Sequence, residues 1–93
     1  MIHIGSMEVK FSSKFAKQYD KSPFKIRQAF DNRLKLFLGD TFHPLLNNHS
    51  LVGKYTGYRS INVTGDWRAI FHEFHSGELV YFEAIGTHSQ LYR

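Results

Sequence analysis

The feature that most restricts how this chain can fold is a change of hydrophobic period near Tyr58. From there on, apolar and polar residues alternate through three successive runs, "YRSINV", "WRAIFHEF" and "ELVYFEAIG". A period of two marks a half-buried strand, because successive side chains leave a strand on opposite faces. In the first run Arg59, Ile61 and Val63 are expected on one face, with Tyr58, Ser60 and Asn62 on the other. The links "TGD" and "HSG" are short and contain glycine, which suits hairpin turns between antiparallel neighbours. Residues 58–86 are therefore predicted to form a three-stranded meander.

Upstream the pattern differs. "MEVKF" alternates, with Met7, Val9 and Phe11 on one side, and reads as a short strand. "SSKFAKQYDKS" has Ser12 and Ser13 as capping residues and Phe15, Ala16 and Tyr19 at helical spacing. In "SPFKIRQAFDNRLKLFLG", Ser22 is placed to cap, Pro23 to occupy the first helical position and Gly39 to end the helix. Ile26, Phe30, Leu34, Phe37 and Leu38 form its apolar stripe. Residues 40–57 hold Pro44, two glycines and an Asn pair, and are expected to be a loop with short turns. The order β-α-α-β-β-β predicts an α+β fold, an N-terminal helical hairpin packed on a mostly antiparallel four-stranded sheet.

Ninety-three residues make one domain, 1–93, with "MIHIGS" at 1–6 read as an extension without assigned function. The chain has no cysteine, which excludes disulfides and thiolate metal sites and suits a reducing compartment. No apolar stretch approaches the roughly 20 residues a membrane span needs, and the start lacks the form of a signal peptide. The net charge of +4 is unevenly spread. Residues 1–40 carry eight Lys/Arg against four acids, whereas residues 41–93 carry four of each. A basic surface of this kind suits a polyanionic partner.

The six histidines show no zinc-ligand spacing, and Gly-rich phosphate loops and GxSxG elbows are absent. No metal or cofactor is therefore expected. In an antiparallel meander the start of the second run and the end of the third share one end of the sheet. That places Asp66, Trp67 and Arg68 near His88, with Tyr92 four residues further on. Metal-free RNA cleavage needs a base for the 2′-hydroxyl, an acid for the departing 5′-oxygen and a cation for the phosphorane. Histidine suits either proton role and arginine suits the third. Trp67 or Tyr92 has the ring to stack on an unpaired base.

Two segments, "HPLLNNHSLVGKYTGYRSINVTGDWRAIF" and "LVYFEAIGTHSQLY", together resemble the bacterial RelE/ParE toxin superfamily of type II toxin–antitoxin systems, with the YafQ-like branch nearest and HigB-like features in "RSINVTGDWR". The resemblance implies a cytoplasmic, ribosome-dependent mRNA endonuclease that inhibits translation and is held inactive by a cognate antitoxin. It implies contact with operator DNA only through the antitoxin complex, and no membrane partner. His88 in "GTHSQLY" matches the histidine taken as general acid. His49 matches a second active-site histidine, Asp66 and Trp67 the "DW" pair, Tyr92 the C-terminal aromatic and Arg68 a strand arginine used against the scissile phosphate. Lys54, Arg59, Lys14, Lys17 and Lys21 are the candidate RNA-binding cations alongside Trp67.

Two positions depart from that pattern. Asn62 stands where such toxins carry a further histidine, and Ala84 where they carry an arginine. Two other functions fit the same fold: inhibition of DNA gyrase in the manner of ParE-like members, and a catalytically degenerate toxin that serves as an antitoxin-binding, co-repressor module.

Overall fold

The computed structural model describes residues 7–92, so the extension read at residues 1–6 lies outside the described residues. Along the chain run β1 (Glu8–Phe11), α1 (Ser13–Lys21), α2 (Phe24–Gly39), β2 (His49–Ser50), β3 (Arg59–Asn62), β4 (Trp67–Phe74), β5 (Leu79–Thr87) and α3 (His88–Leu91). Single turns of 3₁₀-helix occupy Pro44–Leu46, Gly53–Tyr55 and His75–Gly77. The sheet has the order β1-β5-β4-β3-β2. β1 lies parallel to β5, and every other pair is antiparallel.

The α+β class and the meander agree with the sequence expectation, but the sheet has five strands rather than four. The extra strand, β2, comes from the segment expected to be a loop. Only His49 and Ser50 belong to it, and they pair with Ser60 and Arg59 of β3. Two residues carry no readable alternation, so nothing local announces this strand. It exists because β3 offers it a free edge.

The helix pair also differs in one detail. Ser12 caps α1 as expected, with its Oγ accepting from Phe15 N at 2.9 Å. Ser22, however, does not cap α2. It closes α1, its N–H donating to Tyr19 O and its Oγ to Gln18 O. Its carbonyl then accepts from Arg27 Nη1. Pro23 stands at the N-cap of α2, without a side-chain cap. Along α2, Phe30 and Phe37 are buried and Ile26 and Leu34 partly so, while Leu38 at the end of the expected stripe is 43% exposed.

The sheet separates two clusters. On the helix side, Phe15, Phe30 and Phe37 meet Ile61, Ala69, Phe71, Val80, Phe82 and Ile85. Phe82 is central, with ring centroids 5.3 Å from both Phe30 and Phe71. On the far side a smaller cluster joins Tyr55, Ile70, Ala84 and Leu91, flanked by Leu51, Tyr58 and Tyr92.

A bulge in β5 lets that strand serve both clusters. Ile70 opposes Ala84 while the next residue, Phe71, opposes Phe82, so Glu83 is an extra residue in β5. Phe82 and Ala84, two apart, therefore point to opposite faces. The first helix holds this irregularity in place. Ser12 Oγ donates to Glu83 O at 2.8 Å, and Gln18 Oε1 accepts from Ile85 N at 3.0 Å.

Candidate functional site

The second face of the sheet is where the sequence-predicted residues gather. Arg68 opposes Asn62 on β3 and Gly86 on β5, so these three share a row. The row before it holds Ser60, Ile70 and Ala84. Immediately after β5 the chain turns into α3, which folds over this face and buries Leu91 against the small cluster.

The turn into α3 is built from the sequence "THSQ". Thr87 Oγ1 accepts from Gln90 N at 3.2 Å and Gln90 Oε1 accepts from Thr87 N at 2.9 Å, a reciprocal capping box. The Ser/Thr-x-x-Gln spacing announces such a cap, and it is the signal by which Thr87 and Gln90 were findable. Gly86 makes room for the helix. A Cβ there would lie 3.1 Å from Gln90 Oε1 and 3.4 Å from Leu91 Cδ2. The cap places His88 at the first position of α3 and Tyr92 one turn later, with ring centroids 4.7 Å apart. The His88 N–H donates to Asp66 O at 3.0 Å, which ties α3 to the β3–β4 turn.

Arg68 is anchored on the same turn. Its Nη1 donates to the carbonyls of Thr64, Gly65 and Trp67 at 3.1–3.2 Å. All three bonds use one nitrogen, which leaves the rest of the planar fork directed away from them. Burial pushes the Tyr92 phenol up, while the neighbouring Arg68 charge pulls it back. Burial likewise raises Tyr55, whose ring lies 5.6 Å from Tyr92. Both phenols therefore keep their protons at neutral pH. Lys54 joins from the 3₁₀ turn, its Nζ 3.4 Å from Leu91 O and 5.3 Å from the Tyr55 ring centre. Asn62 contributes a buried Oδ1 that has no hydrogen-bond partner among the described residues. Such an atom costs about 1–3 kcal/mol, which a bound donor would recover.

Not every candidate joins this group. His49 lies on the same face, but its row runs through Ser60 and Ile70 to Ala84. Three strand spacings put its backbone roughly 14 Å from Ala84. Its Nδ1 is 2.8 Å from Asn47 O. Trp67 neighbours His88 in the backbone register but faces the other way, packing on the helix-side cluster. It follows the parity of Ala69 and Phe71. With Gln18, Lys21, Ser22, Ile85 and Gln90 it lines a cavity of about 280 Å³ at the end of the sheet. Asp66 meets His88 through its backbone, and its side chain is solvent-exposed.

The remaining cations are placed elsewhere. Arg59 Nε donates to Asn48 Oδ1 at 2.8 Å and lies 3.8 Å from Glu73 Oε1, joining β3 to the preceding loop. Lys14, Lys17 and Lys21 are exposed on α1, in the layer on the opposite side of the sheet. Tyr55, central to the face, was absent from the candidates because a buried aromatic in a loop carries no periodic signal. Among the described residues no three His, Asp or Glu side chains are grouped to hold a metal ion, and no helix is long and apolar enough to cross a membrane.

The architecture, two helices on a mostly antiparallel sheet with a short C-terminal helix over its second face, is that of RelE/ParE-type toxins. Residues 7–93 match the model of the YafQ family, bacterial toxins of type II toxin–antitoxin systems, and the chain belongs to that family. Its structure is similar to that of YafQ from E. coli strain BL21(DE3), with a TM-score of 0.78, 22% identity, and coverage of 94% of this chain and 99% of the other. The E. coli DinJ–YafQ toxin–antitoxin complex gives a TM-score of 0.77 at 23% identity, covering 95% and 99%. A YoeB/ParE toxin from Agrobacterium tumefaciens gives 0.73 at 16%, covering 88% and 99%. No curated protein matches the chain closely enough in sequence to count as a relative.

Proposed function

We propose that this toxin is a ribosome-dependent mRNA endonuclease that cleaves through the RNA 2′-hydroxyl without a metal and thereby inhibits translation. The observation that carries the reading is the convergence of His88, Tyr92 and Arg68 at one end of the sheet. An imidazole, a protonated phenol and a part-free guanidinium lie there around one exposed surface. His88, as imidazolium, gives its proton to the departing 5′-oxygen as the P–O bond breaks. The 2′-oxygen attacks phosphorus and leaves a 2′,3′-cyclic phosphate, and its proton passes to a base. Of the two candidates, Asp66 is tied to the His88 backbone, whereas His49 lies at the distant edge of the sheet. The Arg68 fork and the Tyr92 hydroxyl donate to the phosphorane oxygens.

Asn62 accepts a hydrogen bond from the sugar or the base but takes up no proton, so the base has to be another residue. Ala84 is fully enclosed beneath Leu91, Ile70 and Tyr55. A cation cannot be housed there without displacing α3, and Arg68, in the next row on the same face, supplies the charge instead. The antitoxin is read as the inhibitory partner, and the site of action as the cytoplasm, where translating ribosomes present single-stranded message. Operator DNA is met only through the antitoxin complex.

The second reading, a degenerate toxin that binds antitoxin without cutting RNA, is favoured by one specific observation, the absence of any basic or acidic side chain at Asn62 and Ala84. Mapping 5′ ends of message on ribosomes after induction separates the two. New 5′-hydroxyl ends for the wild-type chain, lost in His88→Ala, support the nuclease. Antitoxin binding without new ends supports the degenerate toxin.

A further inference from the structure

The rings of the second face form a longer path than the cleavage residues require. His88 and Tyr92 lie 4.7 Å apart, Tyr92 and Tyr55 5.6 Å, and Tyr55 and Tyr58 6.1 Å. Tyr58 then lies 5.0 Å from His72, and His72 4.4 Å from Phe74. The path follows β4 away from α3, since His72 and Phe74 have the parity of Ile70 and share its face. Its two ends differ from its middle. Tyr55 is buried, and its contacts with Tyr92 and Tyr58 are edge-on at 88° and 75°. At the far end the His72 and Phe74 rings are stacked nearly parallel, 7° apart, and Phe74 is 42% exposed. Phe11, Phe24 and Phe42 are exposed as well, but among the described residues Phe74 is the exposed phenylalanine whose ring stacks on an imidazole.

We propose that His72 and Phe74 form a second base-stacking site for single-stranded RNA, which takes a nucleotide of the same strand that His88 and Arg68 hold at the scissile phosphate. The inference rests on the nuclease reading above and adds to it a length of substrate. A parallel ring pair with one open face is what base stacking needs, and every base has a π-face to offer it. Tyr55 is buried between the partly exposed Tyr92 and Tyr58, so a strand that reaches both ends passes over it. Phosphate contacts belong to Arg68 at the α3 end and to Lys54 beside Tyr55. Affinity at the far end therefore comes from stacking, is tolerant of base identity and depends little on salt, in contrast to phosphate binding.

The test uses the intact chain and fluorescent oligouridylates carrying 2′-O-methyl groups, which lack the attacking hydroxyl and stay uncut. Lengths on the order of 3 and 12 nucleotides bracket the lower part of the usual range of single-strand sites. The wild-type chain is expected to bind the longer probe about tenfold more tightly, the scale of one base–aromatic stack. His72→Ala combined with Phe74→Ala should remove that gain at both low and high salt and leave the short probe unaffected. Phe74→Tyr, which keeps the ring, should retain it. If the double alanine variant binds the long probe as the wild type does, while the wild type cleaves message on ribosomes, the second site is refuted and the nuclease reading stands. If the wild type neither binds the probes nor cleaves, both fail together. Loss of antitoxin affinity in the double variant with RNA binding intact would make this face a protein interface, and would also overturn the inference.

Discussion

On the helix-side face of the sheet the enclosed rings are phenylalanines; on the other face the rings are mostly tyrosine and histidine. Phe15, Phe30, Phe37, Phe71 and Phe82 interlock with centroid distances of 5.1–5.9 Å and no polar atom to satisfy. Tyr58, Tyr92, His72 and His88, gathered around the buried Tyr55, touch at similar distances but are partly or fully exposed. The first arrangement holds the fold together, and the second leaves chemistry exposed. The difference teaches that the sheet serves as a partition. Stability is concentrated on one side, so the other side tolerates an orphaned acceptor at Asn62 and an open Phe74. The Glu83 bulge is the hinge between the two, because it lets consecutive segments of β5 supply Phe82 to one face and Ala84 and Gly86 to the other.

Substitutions on the two sides should therefore separate cleanly into loss of fold and loss of activity. The largest effect is expected for Phe82→Ala, which deletes the central ring of the helix-side cluster and should cost about 3–5 kcal/mol. Urea denaturation would register it, and a variant as stable as wild type would break the comparison. Next comes Arg68→Ala on the other face. Cleavage of ribosome-bound message should slow by about 10²–10³, the usual cost of removing one donor to a charge that develops in the transition state. Its urea midpoint should move little, and Arg68→Lys should recover only part of the rate because the fork is lost.

Gly86→Ala sharpens the comparison. The added methyl meets Gln90 and Leu91 at 3.1–3.4 Å, so α3 has to shift by a few tenths of an ångström. The expected outcome is roughly tenfold slower cleavage, since misplacement of about 1 Å can cost 10²-fold, with a smaller change in stability. Thr87→Ala, which opens the capping box, should cost about 1 kcal/mol and loosen His88. The smallest effect is a pH dependence. The raised Tyr19, Tyr55 and Tyr92 phenols favour the folded state while protonated. Their contribution is complete below the ordinary tyrosine value of 10.0 and is lost as pH rises through the higher folded values. A denaturation series above pH 10 should show this decline, and Tyr55→Phe should soften it.

Much of this partition was legible in the sequence, and what was not has identifiable causes. The meander and the helical pair follow from periodicity alone, and the nearness of His88 to residues 66–68 follows from antiparallel pairing. The ring contact of His88 with Tyr92 depends on the short helix α3, which is not among the elements expected from periodicity. The nearness of Trp67 to His88 holds only for the backbone, because its parity with Ala69 and Phe71 directs the ring to the helix side. The Glu83 bulge escaped because alternation within "LVYFEAIG" looks uninterrupted when both faces are apolar. The strand at His49–Ser50 escaped because only the edge of β3 defines it. Tertiary partners decide these features, and Ser12 and Gln18, which pin the bulge, lie some 67–71 residues away in the chain.

The central claim is that His88 acts in chemistry and not in folding. Single-turnover cleavage of message on programmed ribosomes, measured for the wild type and His88→Ala beside their urea midpoints, tests it most directly. The expected outcome is a loss of at least about 10²-fold in rate, the lower end for a general acid, with an unchanged midpoint. Cleavage by His88→Ala at the wild-type rate would contradict it.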